Sequence, residues 1–410
     1  MDIKILPSKL RGTVNIPSSK SMTHRILISA ALAEGTSVIS NVSFSKDIYA
    51  TIDSLKALGA EMTVNGSTVT VKGVKTISET AVIDCCESGS TLRFMIPIAC
   101  ALGINSTFKG QGRLPERPIT PYIRELGKKG IKFDKVGTMP FTAEGKLSFG
   151  TFELEGDISS QFITGLLFAL PLLDGDSEIV MLSKLESKPY ADMTVKCLEA
   201  FGVEVKETPN GYLIHGNQKY KAKNMPVEGD YSQAAFFCVG NVLGNEINLN
   251  NLLPDSFQGD KKIVEIIDNL CYNENKRPKG FEINATDIPD LVPILAVLGT
   301  YCEGKSVITG AKRLKIKESD RLQTTSDMIN TLGGKVTVTD DGLIIDHAEL
   351  TGGTIDSFND HRIAMSAAIA ATVCSQPVII KNAESVNKSY PDFFEDYKNL
   401  GGNANVITLE

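Results

Sequence analysis

Residues 58–73 read LGAEMTVNGSTVTVKG, and residues 201–216 and 332–347 repeat that plan as FGVEVKETPNGYLIHG and LGGKVTVTDDGLIIDH. In each, a hydrophobic residue and a glycine close an amphipathic helical stretch. Two alternating runs follow around an Asn-Gly or Asp-Gly pair, the pattern of a helix C-cap leading into a β-hairpin. Weaker copies are KKGIKFDK near Gly130, NLCYNENKRPKGFEIN near Leu270 and NLGGNANVI near Leu400. The anchors recur at a spacing of roughly 60 to 75 residues along the whole chain, too long for the thin repeats of a solenoid. Six such units in 410 residues predict an α/β protein of two domains with three units each. The boundary is expected at Met225-Pro226-Val227-Glu228-Gly229-Asp230, where Pro and Gly supply a bend and Ser232 to Val242 reads as a new helix. The active site is expected in the cleft between the halves.

Composition narrows the function. A 42% apolar, 22% charged chain is that of an ordinary globular enzyme, and a net charge of -7 argues against broad binding of nucleic acid or an anionic membrane surface. Small anions are still accessible to it, because a few basic side chains focused in one place set the local potential. The eight cysteines form no CxxC pair, and the opening MDIKILPSKLRG has no long apolar run, so a reducing cytoplasmic setting is expected. The four histidines, His24, His215, His347 and His361, make no HxxxH or HExxH pair, and neither GxxxxGK nor GxGxxG occurs. A zinc site is not expected.

Several helix starts are instead rich in basic and hydroxyl side chains. Ser18-Ser19-Lys20-Ser21 runs into a helix that carries Arg25, and Glu87-Ser88-Gly89-Ser90 opens one that carries Arg93. Backbone N–H groups and the helix dipole at such starts favour an anion. Prolines on both sides stiffen the presentation of Arg117, and Ser159-Ser160-Gln161 and Ser187-Lys188-Pro189-Tyr190 each precede a helix. Asp287-Ile288-Pro289-Asp290 fits either a cap or a buried general base. The densest cluster is Arg313 to Arg321, joined by Asn359-Asp360-His361-Arg362 and by Lys388. Basic groups beside a positive dipole end call for an anion or an acidic partner.

Taken in order, SSKSMTHR, ESGSTLR, ERPI, SSQF, SKPY, DIPD, KIKESDRL, NDHR and NKSYPDF resemble 5-enolpyruvylshikimate-3-phosphate synthase over nearly the full chain. The resemblance implies an inside-out α/β barrel fold: two similar domains, each of three βαβαββ-type repeats, placed at 15–227 and at 1–14 plus 228–410. It implies closure over shikimate 3-phosphate and phosphoenolpyruvate, and a monomer is the default expectation. Carried over by motif, Lys20, Ser21, Arg25, Ser159, Ser160, Gln161, Ser187, Tyr190, Asp290, Arg313 and Lys317 would contact shikimate 3-phosphate. Lys20, Gly89, Arg93, Arg117, Gln161, Arg321, Arg362 and Lys388 would contact phosphoenolpyruvate. Asp290 would be the base for the attacking hydroxyl and Glu318 the acid and later base at the methyl carbon. Lys20 and Lys388 would assist, His361 would orient Glu318, and no metal or organic cofactor would be required. Glu87 and Arg313 depart from the family pattern, each standing where an Asn is common. The sister enzyme that uses a UDP-linked amino sugar (UDP-N-acetylglucosamine) is the alternative, but it normally carries a cysteine in the loop that here reads Gly110-Gln111-Gly112-Arg113-Leu114-Pro115.

Overall fold

The computed structural model describes residues 1–135, 137–274 and 277–407. The chain divides into two compact units, Ser18–Glu228 and a discontinuous one made of Met1–Pro17 with Gly229–Glu410. They are called here the inserted unit and the split unit.

Two strands, β1 (Asp2–Leu6) and β2 (Arg11–Asn15), open the chain and belong to the split unit. The inserted unit then runs α1 (Lys20–Leu32), β3 (Thr36–Ser40), α2 (Lys46–Ala57), β4 (Glu61–Asn65) and β5 (Thr68–Lys72). Its second repeat is β6 (Thr80–Asp84), α3 (Gly89–Leu102), β7 (Asn105–Lys109), α4 (Thr120–Gly127), β8 (Lys132–Phe133) and β9 (Phe141–Glu144). The third is β10 (Thr151–Leu154), α5 (Ser160–Ala169), β11 (Ser177–Met181), α6 (Lys188–Ala200), β12 (Lys206–Thr208) and β13 (Gly211–Ile214), after which comes β14 (Met225–Pro226). The sheets are ordered β6-β7-β9-β8, β10-β11-β13-β12 and β14-β3-β5-β4. In each the first pair is parallel and the other two are antiparallel. The last strand of the unit therefore supplies the missing first strand of its first repeat.

The split unit continues with α7 (Tyr231–Val242), β15 (Glu246–Asn250), α8 (Lys262–Asp268), β16 (Glu282–Asn284), α9 (Val292–Tyr301), β17 (Lys305–Thr309) and α10 (Arg321–Thr331). Then follow β18 (Lys335–Val338), β19 (Leu343–Asp346), β20 (Gly353–Asp356), α11 (His361–Ala370), β21 (Val378–Lys381), α12 (Phe393–Asn399) and β22 (Asn403–Ile407). The order β16-β17-β19-β18 repeats the pattern, β20-β21-β1-β22 borrows β1 from the N-terminus, and β2 pairs in parallel with β15. The sixth hairpin is reduced to the bridge Tyr272↔Pro278, positions 275 and 276 lying outside the described residues.

Burial explains the layering. The first helix of each repeat is apolar on nearly every side and buried: α3 and α5 in one unit, α9 and α11 in the other. A helix with no polar face has to sit inside. The strands instead alternate buried and exposed residues, as in β6 and β17, and so face solvent on one side. Helices inside and sheets outside are the inside-out arrangement expected, with a separate core in each unit. Two of the hairpin glycines have a different role from the turn role read in the sequence. A Cβ on Gly211 or Gly342 would meet the carbonyl oxygen of Ile179 or Ile308 at 1.9 and 1.8 Å, so these positions need glycine for close strand approach. Among the described residues no helix is long and apolar enough to cross a membrane.

Candidate active site

The buried helices start at the basic motifs. In the inserted unit Ser19 caps α1 by accepting a bond from the Met22 amide, and Lys20 is the first helical residue. Lys20 Nζ lies 2.9 Å from Asp47 Oδ2 on α2, with both side chains largely buried. One turn further, Arg25 is 3% exposed and reaches Thr194 Oγ1 at 2.9 Å, the Ser21 carbonyl at 2.8 Å and the Tyr190 carbonyl at 2.7 Å. All of these acceptors are neutral. Burial brings the Arg25 pKa down to about 10, the signature of a cation with too little negative charge around it. Arg25 ties α1 to α6 near Ser187 and Tyr190. Ser187 itself is buried in a left-handed conformation (φ 54).

Arg93, two percent exposed, extends from the first turn of α3. Its Nη1 donates to Gln161 Oε1 at 2.9 Å and its Nη2 to the Pro118 carbonyl at 3.2 Å. Gln161 Nε2 donates in turn to Ser90 Oγ at 2.9 Å, while Ser159 caps α5 by accepting from the Gln161 amide at 3.3 Å. Beside them the Arg117 guanidinium lies so close to Gly89 that a Cβ there would come within 2.4 Å of Nη1. The absence of a side chain at Gly89 is what lets the guanidinium lie there; a Cβ would displace it. Ser90, Arg93, Gln161, Gly89 and Arg117 are thus brought together, with Ser160 buried behind Ser159. Glu87 turns toward the loop that leads to Arg117, its carboxylate packed where a Gly112 Cβ would be 2.6 Å from Oε2.

In the split unit three helix starts converge on one carboxylate. Asp290 sits in the 3-10 turn Pro289–Leu291 ahead of α9. Arg321, the first residue of α10, donates from Nη1 to Asp290 Oδ1 at 3.0 Å, and Arg362, the second residue of α11, donates from Nη2 to Oδ2 at 2.8 Å. Arg321 Nη2 also reaches Glu318 Oε2 at 2.6 Å. Burial works against the Asp290 charge, but Arg362, Lys317 and Arg321 outweigh it and hold the carboxyl well below the usual carboxylate range. The same burial brings Lys317 down to about 8, against the pull of Asp290 and Glu318. Lys388 Nζ donates to the Asn359 carbonyl at 2.7 Å, and Arg313 donates to the Thr286 carbonyl. His361 is buried at the first position of α11.

Two acids that the motif reading left out of the site hold it in place. Asp360 is completely buried. It accepts from Arg321 Nε at 2.9 Å, from Ser319 Oγ at 3.0 Å and from the Arg362 amide at 3.0 Å, so one carboxylate both aims an arginine and caps α11. Its place in the Asn359-Asp360-His361-Arg362 motif was the available signal. Asp47 had only an acidic first turn to mark it, and nothing local shows that its partner lies 27 residues away. A cavity of about 430 Å³ at Met181–Leu185, Lys188 and 207–212 contains none of the expected site residues.

The family model described as EPSP synthase (3-phosphoshikimate 1-carboxyvinyltransferase) matches residues 6–397. A 3-phosphoshikimate 1-carboxyvinyltransferase of Clostridium novyi (strain NT) is 46% identical, the match covering 98% of this chain and 98% of that protein. The protein of the same name from Clostridium beijerinckii is 43% identical with 98% of each chain covered. Among solved structures, an EPSP synthase from Acinetobacter baumannii superposes with a TM-score of 0.83 at 27% identity, covering 99% of this chain and 100% of that one. Likeness that runs unbroken through both units, in sequence and in fold alike, means that the chain belongs to the EPSP synthase family.

Proposed function

We propose that the protein transfers the carboxyvinyl (enolpyruvyl) group of phosphoenolpyruvate to the 5-hydroxyl of 3-phosphoshikimate and releases phosphate. The observation that carries this reading is the Asp290 carboxylate held between Arg321 and Arg362, with Glu318 on the same arginine and Lys317 alongside. Such a cluster offers proton acceptors next to guanidinium forks that match carboxylate and phosphate oxygens.

The chemistry has two halves. The 5-hydroxyl oxygen bonds to the enol carbon as its proton passes to Asp290, and the methylene carbon gains a proton from Glu318 to give a phosphate ketal. Glu318 then removes a methyl proton, the double bond re-forms, and the C–O bond to phosphate breaks. Asp290 paired to two guanidiniums is a weak base. Transfer of Arg321 and Arg362 onto the anionic oxygens of phosphoenolpyruvate releases it, so the acceptor is activated by the co-substrate. Lys388 joins these arginines on phosphoenolpyruvate. Arg93, Arg117, Gln161 and the open backbone at Gly89 serve the same ligand from the inserted unit. Arg25, Ser21, Ser159, Ser160, Ser187 and Tyr190 serve 3-phosphoshikimate, with Arg313 and Lys317. Lys20, paired to Asp47, touches both ligands and stabilises charge that develops between them. Eight free cysteines support a cytoplasmic setting.

The deciding assay is phosphate release with each substrate alone and with both. Release that requires both is expected; release with UDP-N-acetylglucosamine in place of 3-phosphoshikimate would sink the reading.

A further inference from the structure

One chain of buried polar groups links three helices of the inserted unit, running from the second turn of α1 through the middle of α2 to the start of α3. His24 on α1, Thr51 on α2, Thr91 on α3 and Ser88, the cap of α3, are all fully buried. Successive contacts are 2.7 Å: His24 Nδ1 to Thr51 Oγ1, Thr51 Oγ1 to Thr91 Oγ1, and Thr91 Oγ1 to Ser88 Oγ. Each hydroxyl has one proton to donate. Thr91 gives its proton to Ser88, so Thr51 must give its own to Thr91, and the bond between Thr51 and the imidazole must then be donated by His24. That bookkeeping places the histidine proton on Nδ1. Nε2 becomes a bare acceptor, buried and without a hydrogen-bond partner among the described residues.

A bare buried acceptor costs stability, and its retention calls for a reason. Burial first, then Lys20 and Arg25, hold the His24 pKa well below 6.5, so the neutral ring is the form the surroundings support. The groups tied together are those that flank the anion-binding side chains. Lys20 and Arg25 stand on either side of His24 on α1, Asp47 is one turn before Thr51 on α2, and Gly89 and Arg93 bracket Thr91 on α3.

We propose that His24 is a positioning residue: as its Nδ1–H tautomer it sets the direction of a buried hydrogen-bond chain that fixes α1, α2 and α3, and with them Lys20, Asp47, Gly89 and Arg93, against one another. The functional part rests on the reading of Lys20, Gly89 and Arg93 as phosphoenolpyruvate contacts. The tautomer does not.

The tautomer is tested on the full-length protein by long-range proton–nitrogen correlation of labelled histidine, with the His24 signals assigned by their loss in His24→Asn. A protonated Nδ1 beside an unprotonated Nε2 is expected; a proton on Nε2, or a cationic ring, overturns the proposal. Kinetics test the positioning. His24→Asn places an amide N–H near the position of the Nδ1 donor and should keep the KM for phosphoenolpyruvate within about twofold, a fraction of the ~100-fold loss that a misplacement of 1 Å can bring. His24→Gln reaches toward Nε2 instead, and Thr51→Val keeps the shape while breaking the chain. Both should raise that KM about tenfold with a smaller change in kcat, again short of the ~100-fold limit. If His24→Gln does not fold, Thr51→Val decides. Melting temperatures that fall while KM stays at the wild-type value would reduce the chain to a structural role and refute the proposal. A wild-type protein that releases no phosphate with both substrates would refute the functional reading instead, and the nitrogen spectrum would still judge the tautomer.

Discussion

Asp290→Asn separates charge from shape at the carboxylate that Arg321 and Arg362 share. In the native protein Oδ1 accepts from Arg321 at 3.0 Å and Oδ2 from Arg362 at 2.8 Å. The amide keeps one acceptor and turns the other atom into a donor facing a guanidinium. Breaking a buried pair costs about 3 to 5 kcal/mol when the remaining charge has no other partner. Here Arg321 retains Asp360 and Glu318, and Arg362 retains Ser232 and the Asp290 carbonyl. The loss should therefore be nearer 2 kcal/mol, a fall in Tm of about 4 to 8 °C for a unit of this size. Binding should move the other way. A negative charge removed at about 5 Å from an incoming anion is worth roughly 3 kcal/mol at an effective dielectric of 20. Even half of that tightens phosphoenolpyruvate about tenfold, since each 1.4 kcal/mol is about a factor of ten. Turnover should fall by about 10² to 10⁴ with loss of the base. Calorimetric titration of phosphoenolpyruvate in the presence of 3-phosphoshikimate, with phosphate release on the same sample, measures both. Weaker binding, or an unchanged kcat, would refute the picture of a carboxylate that competes with substrate for its two arginines.

Arg25→Met should abolish binding of 3-phosphoshikimate while stability holds or rises by about 1 kcal/mol, because a buried cation with only neutral acceptors is removed and the Tyr190 carbonyl keeps the Thr194 hydroxyl; a titration and a thermal melt read the two effects. Lys317 is brought down to about 8, so kcat/KM for 3-phosphoshikimate should decline as pH rises through that value, and a flat profile to pH ~9.5 would remove Lys317 from the binding site. For stability the sign is opposite: between about 8 and the ordinary value of 10.5 the unfolded chain binds more protons at Lys317 than the folded one. Its contribution to unfolding free energy therefore rises across that window. Gly89→Ala places a methyl 2.4 Å from Arg117 Nη1, so the guanidinium must swing away. KM for phosphoenolpyruvate should rise about tenfold, the loss of one charge-assisted contact, with Tm nearly unchanged.

The six-unit plan was legible because its signals are local. A helix end, a glycine and an alternating hairpin lie within about sixteen residues of one another, and Leu58, Phe201, Leu332 and Leu400 all stand at helix C-caps. It faded at residues 269–284, where alternation is absent and the run Phe281-Glu282-Ile283-Asn284 goes into the next sheet as β16, parallel to β17. Strand borrowing was anticipated only through the resemblance, which put 1–14 with the second domain; nothing in Asp2–Leu6 itself states that its partners are β21 and β22. The site divides in the same way. Arg93, Arg321 and Arg362 announce themselves by position at helix starts, whereas the pairing of Lys20 with Asp47, or the grip of Asp360 on Arg321, joins residues 27 and 39 positions apart.

The borrowed strands have a consequence for how the protein is made. On the ribosome β1 and β2 emerge first, yet β2 pairs with β15, and β1 with β21 and β22, the last of them ending at residue 407. The inserted unit, Ser18–Glu228, carries all the strands of its own sheets and can complete itself during synthesis. β2 must wait unpaired until β15 has been made, about 230 residues later, and β1 until β21 has, after about 370, so both close long loops. Truncation before β22 should therefore leave a folded inserted unit beside a split unit in which β1 keeps β21 but shows an exposed, β-prone edge where β22 would pair.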